Sequence, residues 1–143
     1  MKLATVGYEN DTQKAVIDRL KAAEVKIVID VRAVASSRKA GFSKTILAAS
    51  LDEAGIDYVH LQKLGTPKAG RLAARAGRHA EMTRIFEAHL AEPAPQLELI
   101  HAGQIAIAHK AALLCYEADP AQCHRSIVAA HLHETLGLEI ENL

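Results

Sequence analysis

Several things are missing from this sequence, and each absence removes a class of protein. There are only two cysteines, Cys115 and Cys123, too few for a disulfide scaffold. No stretch approaches the roughly 18 consecutive apolar residues of a membrane-spanning helix. The opening "MKLATVGYEN" contains no apolar export region, so a cytoplasmic location with reduced thiols is expected and no membrane partner is. There is no Walker-A loop, no GxGxxG turn and no serine-nucleophile elbow, and no cofactor is expected. Net charge is missing too: 17 basic side chains face 17 acidic ones.

The balance of charge hides a segregation. Arg32, Arg38, Lys39 and Lys44 fall in one window without an acid, and Lys63, Lys68, Arg71, Arg75 and Arg78 in a second. Nine of the 17 cations lie in these windows, leaving eight against 17 acids elsewhere. A positive surface on a neutral protein points to an anionic partner, a small molecule or a nucleic acid. The competing reading is a pair of solvated basic loops.

The 143 residues fit one domain, and half of them are hydrophobic, which suits a globular core. Hydrophobic periodicity alternates strand and helix. Strands are expected at Leu3–Gly7, Lys26–Val31, Ile56–Leu61, Ala111–Glu117 and Leu138–Leu143. Helices are expected at Thr12–Glu24, Ser43–Gly55, Gly77–Glu92 and Leu97–Lys110, with "KLGTPKAGR" a loop and "EPAPQ" a break. This pattern predicts a single α/β domain over residues 1–143, with a mainly parallel sheet of four to five strands and helices on both faces. Such sheets bind ligands beyond the carboxyl ends of their strands. Both basic windows and the "CHR" segment follow predicted strands, so all three are expected at that edge.

A last helix is expected from Asp119-Pro120, with Asp119 as cap, Pro120 in the first turn and Gln122 completing a capping box. Cys123, His124 and Arg125 then occupy its first turns, where free N–H groups and the helix dipole favour an anion. On a wheel of 100° per residue, with Cys123 at zero, Val128, Ala129, Leu132 and Leu136 fall at about 140–240° and Arg125 at about 200°. Arg125 is thus directed at the core stripe and needs a partner for its five donors, either Asp30 or Glu117 inside the protein or an anion from outside. Cys123 faces nearly the other way, so the three residues are not expected to act as a triad. Glu117, Cys123 and His124 are the candidates for acid–base or nucleophilic work. Cys115 reads as a small buried hydrophobe. The spacing of Cys115, Cys123 and His124 matches no CxxC-type zinc pattern, so no metal is expected. His131 and His133 read as structural or exposed.

Asp30 and Arg32 flank one residue at a strand end, so they point to the same side and can pair. The segment Ser36–Lys44 offers hydroxyls, three cations, a flexible glycine and Phe42, a set suited to phosphate contacts with one stacking surface. Arg32, Ser37, Arg38, Lys39, Phe42, Lys44, Arg71 and Arg125 are therefore the candidate anion contacts, with Asp30 positioning Arg32.

Taken together, "TVGYE", "DVR", "SRKAGFSK", "GIDYVHLQKLGTP" and "LLCYEADPAQCHR" resemble the family catalogued as domain of unknown function 488. The segments stand in family order over nearly the whole chain. Related sequences continue the SRK segment with Pro-Gly where Ala40-Gly41 stands here. The resemblance implies a compact α/β domain with these segments around one pocket, which adds Tyr8 and Glu9 to the candidate contacts; it implies no reaction. A weaker similarity is to rhodanese-like domains, with an Asp-x-Arg at a strand end and a cysteine loop closing in Arg-Ser before a helix. Cys115 is too far from Arg125 for that loop, and Cys123 too near. The leading expectation is a protein that binds a phosphate-bearing ligand, nucleotide or nucleic acid. Alternatives are a rhodanese-like or phosphatase-like thiol-dependent transferase and a non-catalytic regulatory or interaction module.

Overall fold

The computed structural model describes all 143 residues. Five strands form one sheet: β1 (Lys2–Gly7), β2 (Ile27–Asp30), β3 (Asp57–His60), β4 (Ala111–Cys115) and β5 (Glu139–Asn142), in the order β3-β2-β4-β1-β5. All four pairings are parallel, so every strand delivers its carboxyl end to one edge. The expected single α/β domain with a parallel sheet is what the chain forms.

Side-chain alternation divides the core in two. Ala4, Val6, Val28, Ala112 and Leu114 face α1 (Gln13–Ala22) and α2 (Lys44–Glu53), which contribute Val16, Leu20, Leu47 and Leu51. Leu3, Ile29, Val31, Leu113 and Cys115 face the opposite helical layer. That layer is α3 (Lys68–Arg75), α4 (His79–Leu90), α5 (Pro93–Ala108) and α6 (Arg125–Leu136), through Ala73, Phe86, Ala102 and Val128 among others. The neighbours of β4 lead into helices on one face, while β4 itself leads into α6 on the other. The carboxyl end of β4 is therefore where chain direction switches, the usual place for a binding crevice in such sheets.

Local signals explain most boundaries. Thr12 caps α1 by accepting a hydrogen bond from the Ala15 amide at 3.1 Å, as an N-cap threonine should. Three expectations are corrected. The "KLGTPKAGR" segment is not all loop: a 3-10 turn at Gln62–Leu64 precedes α3, which starts after Pro67. The "EPAPQ" break is the first turn of α5, with Pro93 at a position where a missing N–H costs no helical hydrogen bond. The helix expected from Asp119 is interrupted. Asp119 caps only a 3-10 turn, Pro120–Gln122, and Cys123 is extended (φ −126°, ψ 141°) before α6 starts at Arg125.

Candidate functional site

Because strand residues alternate, the carboxyl edge carries two adjoining side-chain clusters, one on each face of the sheet. The first, on the α1/α2 face, is built on Asp30 and Arg32. They pair as their spacing predicts: Arg32 Nε lies 2.9 Å from Asp30 Oδ1 and Nη2 lies 2.7 Å from Oδ2. Arg32 Nη1 donates to the Tyr8 hydroxyl at 2.9 Å and the Phe42 carbonyl at 2.7 Å. Tyr58 donates to the same Asp30 carboxylate at 2.5 Å. Burial and the Asp30 carboxylate hold the Tyr58 phenol well above its ordinary pKa. The Asp30 carboxylate in turn keeps Arg32 firmly charged against the burial that opposes it. Asp30 is fully buried and Arg32 is 4% exposed, so this pair is an internal pillar rather than an open anion contact.

Phe42 joins the pillar to the basic loop. Its ring stacks on Tyr8 at 4.2 Å between centroids, 8° from parallel. Around it the loop is tied down. Gln13 Nε2 donates to the Gly41 carbonyl at 2.7 Å, and the Ser37 amide to Ser43 Oγ at 3.0 Å. The Ser37 hydroxyl accepts from the Lys39 amide at 3.1 Å, and the Lys44 amide donates to the Ala35 carbonyl at 2.8 Å. Gly41 sits at φ +89°, which glycine adopts without strain. Arg38 and Lys44 are exposed and Lys39 partly so. None of the three takes part in the eight ion pairs of the chain. The second basic window follows β3, the neighbour of β2, at the same edge; Arg71 there donates to the Thr66 carbonyl at 2.8 Å.

The second cluster lies on the α3–α6 face. Cys115 ends β4, Glu117 follows two residues later on the same side, and Cys123 and His124 arrive just before α6. Cys115 Sγ is 3.6 Å from Glu117 Oε2 and 3.7 Å from His124 Nδ1; Cys123 Sγ is 3.9 Å from that same nitrogen. The other ring nitrogen, Nε2, lies 2.7 Å from the Val31 carbonyl, and Phe86 meets the imidazole edge-on at 5.1 Å. Both cysteines are free and buried. Their contact, then burial, raises the Cys115 thiol well above its ordinary range. For Cys123 burial opposes ionisation most, but Cys115, His124 and Arg125 outweigh it and hold the thiol well below its ordinary range. Burial pushes the Glu117 carboxyl up to about 7, with Cys123 adding to the rise. Burial also disfavours a charged His124, yet its contacts with Cys123 and the Val31 carbonyl raise its pKa.

Arg125 does point into the core, 1% exposed, but neither carboxylate is its partner. Its guanidinium donates to the carbonyls of Glu117 and Ala118, and its Nε has none. Gly7 makes room for this: a Cβ there would overlap the Glu117 carbonyl and stand 3.0 Å from Arg125 Nη1. Gly7→Ala is therefore expected to cost about 1–3 kcal/mol by overpacking against backbone. Urea unfolding checks it, and an unchanged midpoint would show that the loop yields freely.

The wheel is corrected at Cys123. The residue precedes the helix, so its extended backbone turns the sulfur inward beside His124 instead of away from it. Cys115 is buried as expected, yet it is also a member of the cluster. Its period-two relation to Glu117 was a readable sign of this. Tyr58 carries no local sign of its role, because its reach to Asp30 depends on the register of β3 against β2. Glu9 is exposed and accepts from the Ala118 amide at 3.2 Å, joining the loops after β1 and β4. His131 and His133 are structural, reaching Glu87 and the Leu138 carbonyl. Two surface depressions lie elsewhere, one of about 610 Å³ beside Lys2, Arg19 and Lys110 and one of about 310 Å³ between α5 and α6. No helix is long and apolar enough to cross a membrane.

No curated protein and no solved structure matches the chain. Residues 12–132 match the family model described as "Domain of unknown function DUF488". That match spans most of the domain and includes both clusters except Tyr8, and the chain belongs to this family.

Proposed function

We propose that the carboxyl edge of the sheet binds a phosphate-bearing ligand, a nucleotide or a stretch of nucleic acid, through the Ser36–Lys44 loop. The observation that carries this reading is a pinned loop whose cations have no acidic partner. Arg38, Lys39 and Lys44 stand on backbone held by Gln13, Arg32 and the Ser37–Ser43 pair. A display of unpaired cations on held backbone suits an anion better than a solvated basic loop does, because less order is lost on binding. In the second window Lys68 and Arg75 are exposed and take part in no ion pair, whereas Arg78 pairs with Glu81 at 2.7 Å. Arg32 and Arg125 are buried beneath the surface: Arg32 serves Asp30 and Tyr8, and Arg125 donates through Nη1 and Nη2 to loop carbonyls, its Nε alone being unpartnered. Thiol transfer is the weaker reading: Cys115 is 5% and Cys123 2% exposed, and a nucleophile must reach its substrate. Glu117, half-buried, is the acid–base candidate that meets solvent. A cytoplasmic setting agrees with two unpaired thiols.

Fluorescence anisotropy with a labelled single-stranded oligonucleotide, and calorimetry with ATP, test the reading. Replacing Arg38, Lys39 and Lys44 together by alanine is expected to weaken binding about 10–100-fold and make the salt slope shallower by about 2–3. Circular dichroism confirms that the variant is folded. Failure of both probes to bind at low salt, or equal binding by the triple variant, would refute the proposal.

A further inference from the structure

The thiol cluster gathers two sulfurs and an imidazole nitrogen, donors suited to a soft or borderline metal ion. Both sulfurs converge on one atom, His124 Nδ1, at 3.7 and 3.9 Å. Cys115 also reaches the Glu117 carboxylate at 3.6 Å, so hydrogen bonds hold the group as it stands. A metal ion would engage all three donor atoms at once. The donor atoms of Cys115, Cys123 and His124 lie within 4.8 Å of one another. A tetrahedral zinc, with Zn–S near 2.3 Å and Zn–N near 2.0–2.1 Å, sets its sulfur and nitrogen ligands about 3.6 Å apart. The two sulfur–nitrogen separations exceed that only slightly.

The surroundings fit as well. The Val31 carbonyl can only accept, so His124 Nε2 carries a hydrogen and Nδ1 is the nitrogen turned to the sulfurs. A backbone carbonyl on the far nitrogen is the usual device that orients a metal-binding imidazole. Phe86 fixes the ring from the side at 5.1 Å. The Glu117 carboxylate, 3.6 Å from Cys115 Sγ, is the half-buried member of the group and marks the solvent side, where an ion would enter.

We propose that Cys115, Cys123 and His124 bind one zinc ion, with the Glu117 carboxylate closing the fourth position. Zinc forms bonds to two thiolate sulfurs, a neutral Nδ1 and one carboxylate oxygen, and no electron is transferred. The cysteines and His124 together lose two protons to solvent: one from each thiol, or one from Cys115 and one from an imidazolium whose partner Cys123 is already ionised; a Glu117 carboxyl that is protonated releases a third. The filled site carries a net charge of −1, and the Arg125 guanidinium, held on the Glu117 and Ala118 carbonyls, lies beside it. Soft sulfur donors and a borderline imidazole favour zinc over magnesium or calcium.

The experiment uses the full chain, reduced and stripped of metal by chelation. Zinc is titrated against a chromophoric chelator, and cobalt(II) is added separately as a spectroscopic probe. The expected results are one zinc per chain, a thiolate-to-cobalt charge-transfer band with tetrahedral visible bands, and a melting temperature raised by zinc and restored by chelator. Cys123→Ser is expected to abolish the charge-transfer intensity of one sulfur, while Glu117→Gln keeps both sulfurs and loses about 10–100-fold in affinity. Absence of zinc uptake, or cobalt binding without a thiolate band in the folded wild-type chain, overturns the proposal whether or not any variant folds. So does undiminished binding by a folded Cys123→Ser. Oligonucleotide binding is measured separately, so the zinc site and the anion surface can fail independently.

Discussion

Asp30→Asn is expected to lower the unfolding free energy by about 3–5 kcal/mol, the range for removing one partner of a buried ion pair. Asp30 accepts from the Arg32 amide and guanidinium and from the Tyr58 hydroxyl. An asparagine keeps the shape but turns an NH2 group toward donors. The charge of Arg32, 4% exposed, then has no counter-ion, and its desolvation is no longer offset. The asymmetry is the point: the damage comes from the cation left behind more than from the lost attraction. The double variant Asp30→Leu, Arg32→Met is therefore expected to be closer to wild type than Asp30→Asn, because it leaves no buried charge. Urea unfolding of the three proteins measures both differences. A loss below about 1 kcal/mol for Asp30→Asn would mean that water reaches Arg32 and that the pair behaves like a surface ion pair.

Phe42→Ala is expected to cost about 3–5 kcal/mol as well, through a cavity rather than a charge. The side chain is fully buried, and its stacking on Tyr8 adds about 0.5–1.5 kcal/mol beyond the area buried. Unlike most core truncations, this one has a functional readout. Phe42 lies between Gly41 and Ser43, which are held by Gln13 and Ser37, and its carbonyl takes a hydrogen bond from Arg32. Losing the ring loosens the anchor of Arg38, Lys39 and Lys44 while leaving every cation in place. Oligonucleotide affinity should fall with no change in salt slope, the opposite signature to removing the cations. Phe42→Leu should recover most of the stability. Wild-type affinity in a folded Phe42→Ala protein would show that the loop does not need its anchor.

Much of the edge was legible because strand periodicity is a strong constraint. Asp30 and Arg32 had to share a side, and they pair there. The wheel placed Arg125 with Val128, Ala129 and Leu132, all of which are buried, although Leu136 at the helix end is exposed. What stayed hidden depends on backbone conformation and long-range register. Asp119-Pro120 carries a good helix-start signal, yet only a 3-10 turn follows. The extended Cys123 then reverses the direction the wheel assigns it. In "ALLCYE" Cys115 looks like one more buried apolar residue, because a central strand is apolar on both faces. Nothing local says that His124 will arrive beside it from nine residues later. The sequence offers the carboxylates of Asp30 and Glu117 as partners for Arg125, whereas carbonyls of a tight loop serve it. Pro67 and Gly70 masked α3: the proline stands at its cap and the glycine packs on Thr66 and Ile85.

The strand order also dictates when, during synthesis, this edge comes into existence. The first two strands never touch each other; β4 fills the gap between them, pairing Ala4 with Ala112 on one side and Ile29 with Leu113 on the other. A nascent chain that has emerged only through α5 has no central strand and leaves β1 separated from the β2–β3 pair. Such long-range pairings form slowly and late. Arrival of β4 joins the two halves, and the chain that follows within ten residues brings Glu117, Cys123, His124 and Arg125. One short stretch of chain, Ala111 to Arg125, thus both joins the two halves of the sheet and completes the thiol cluster.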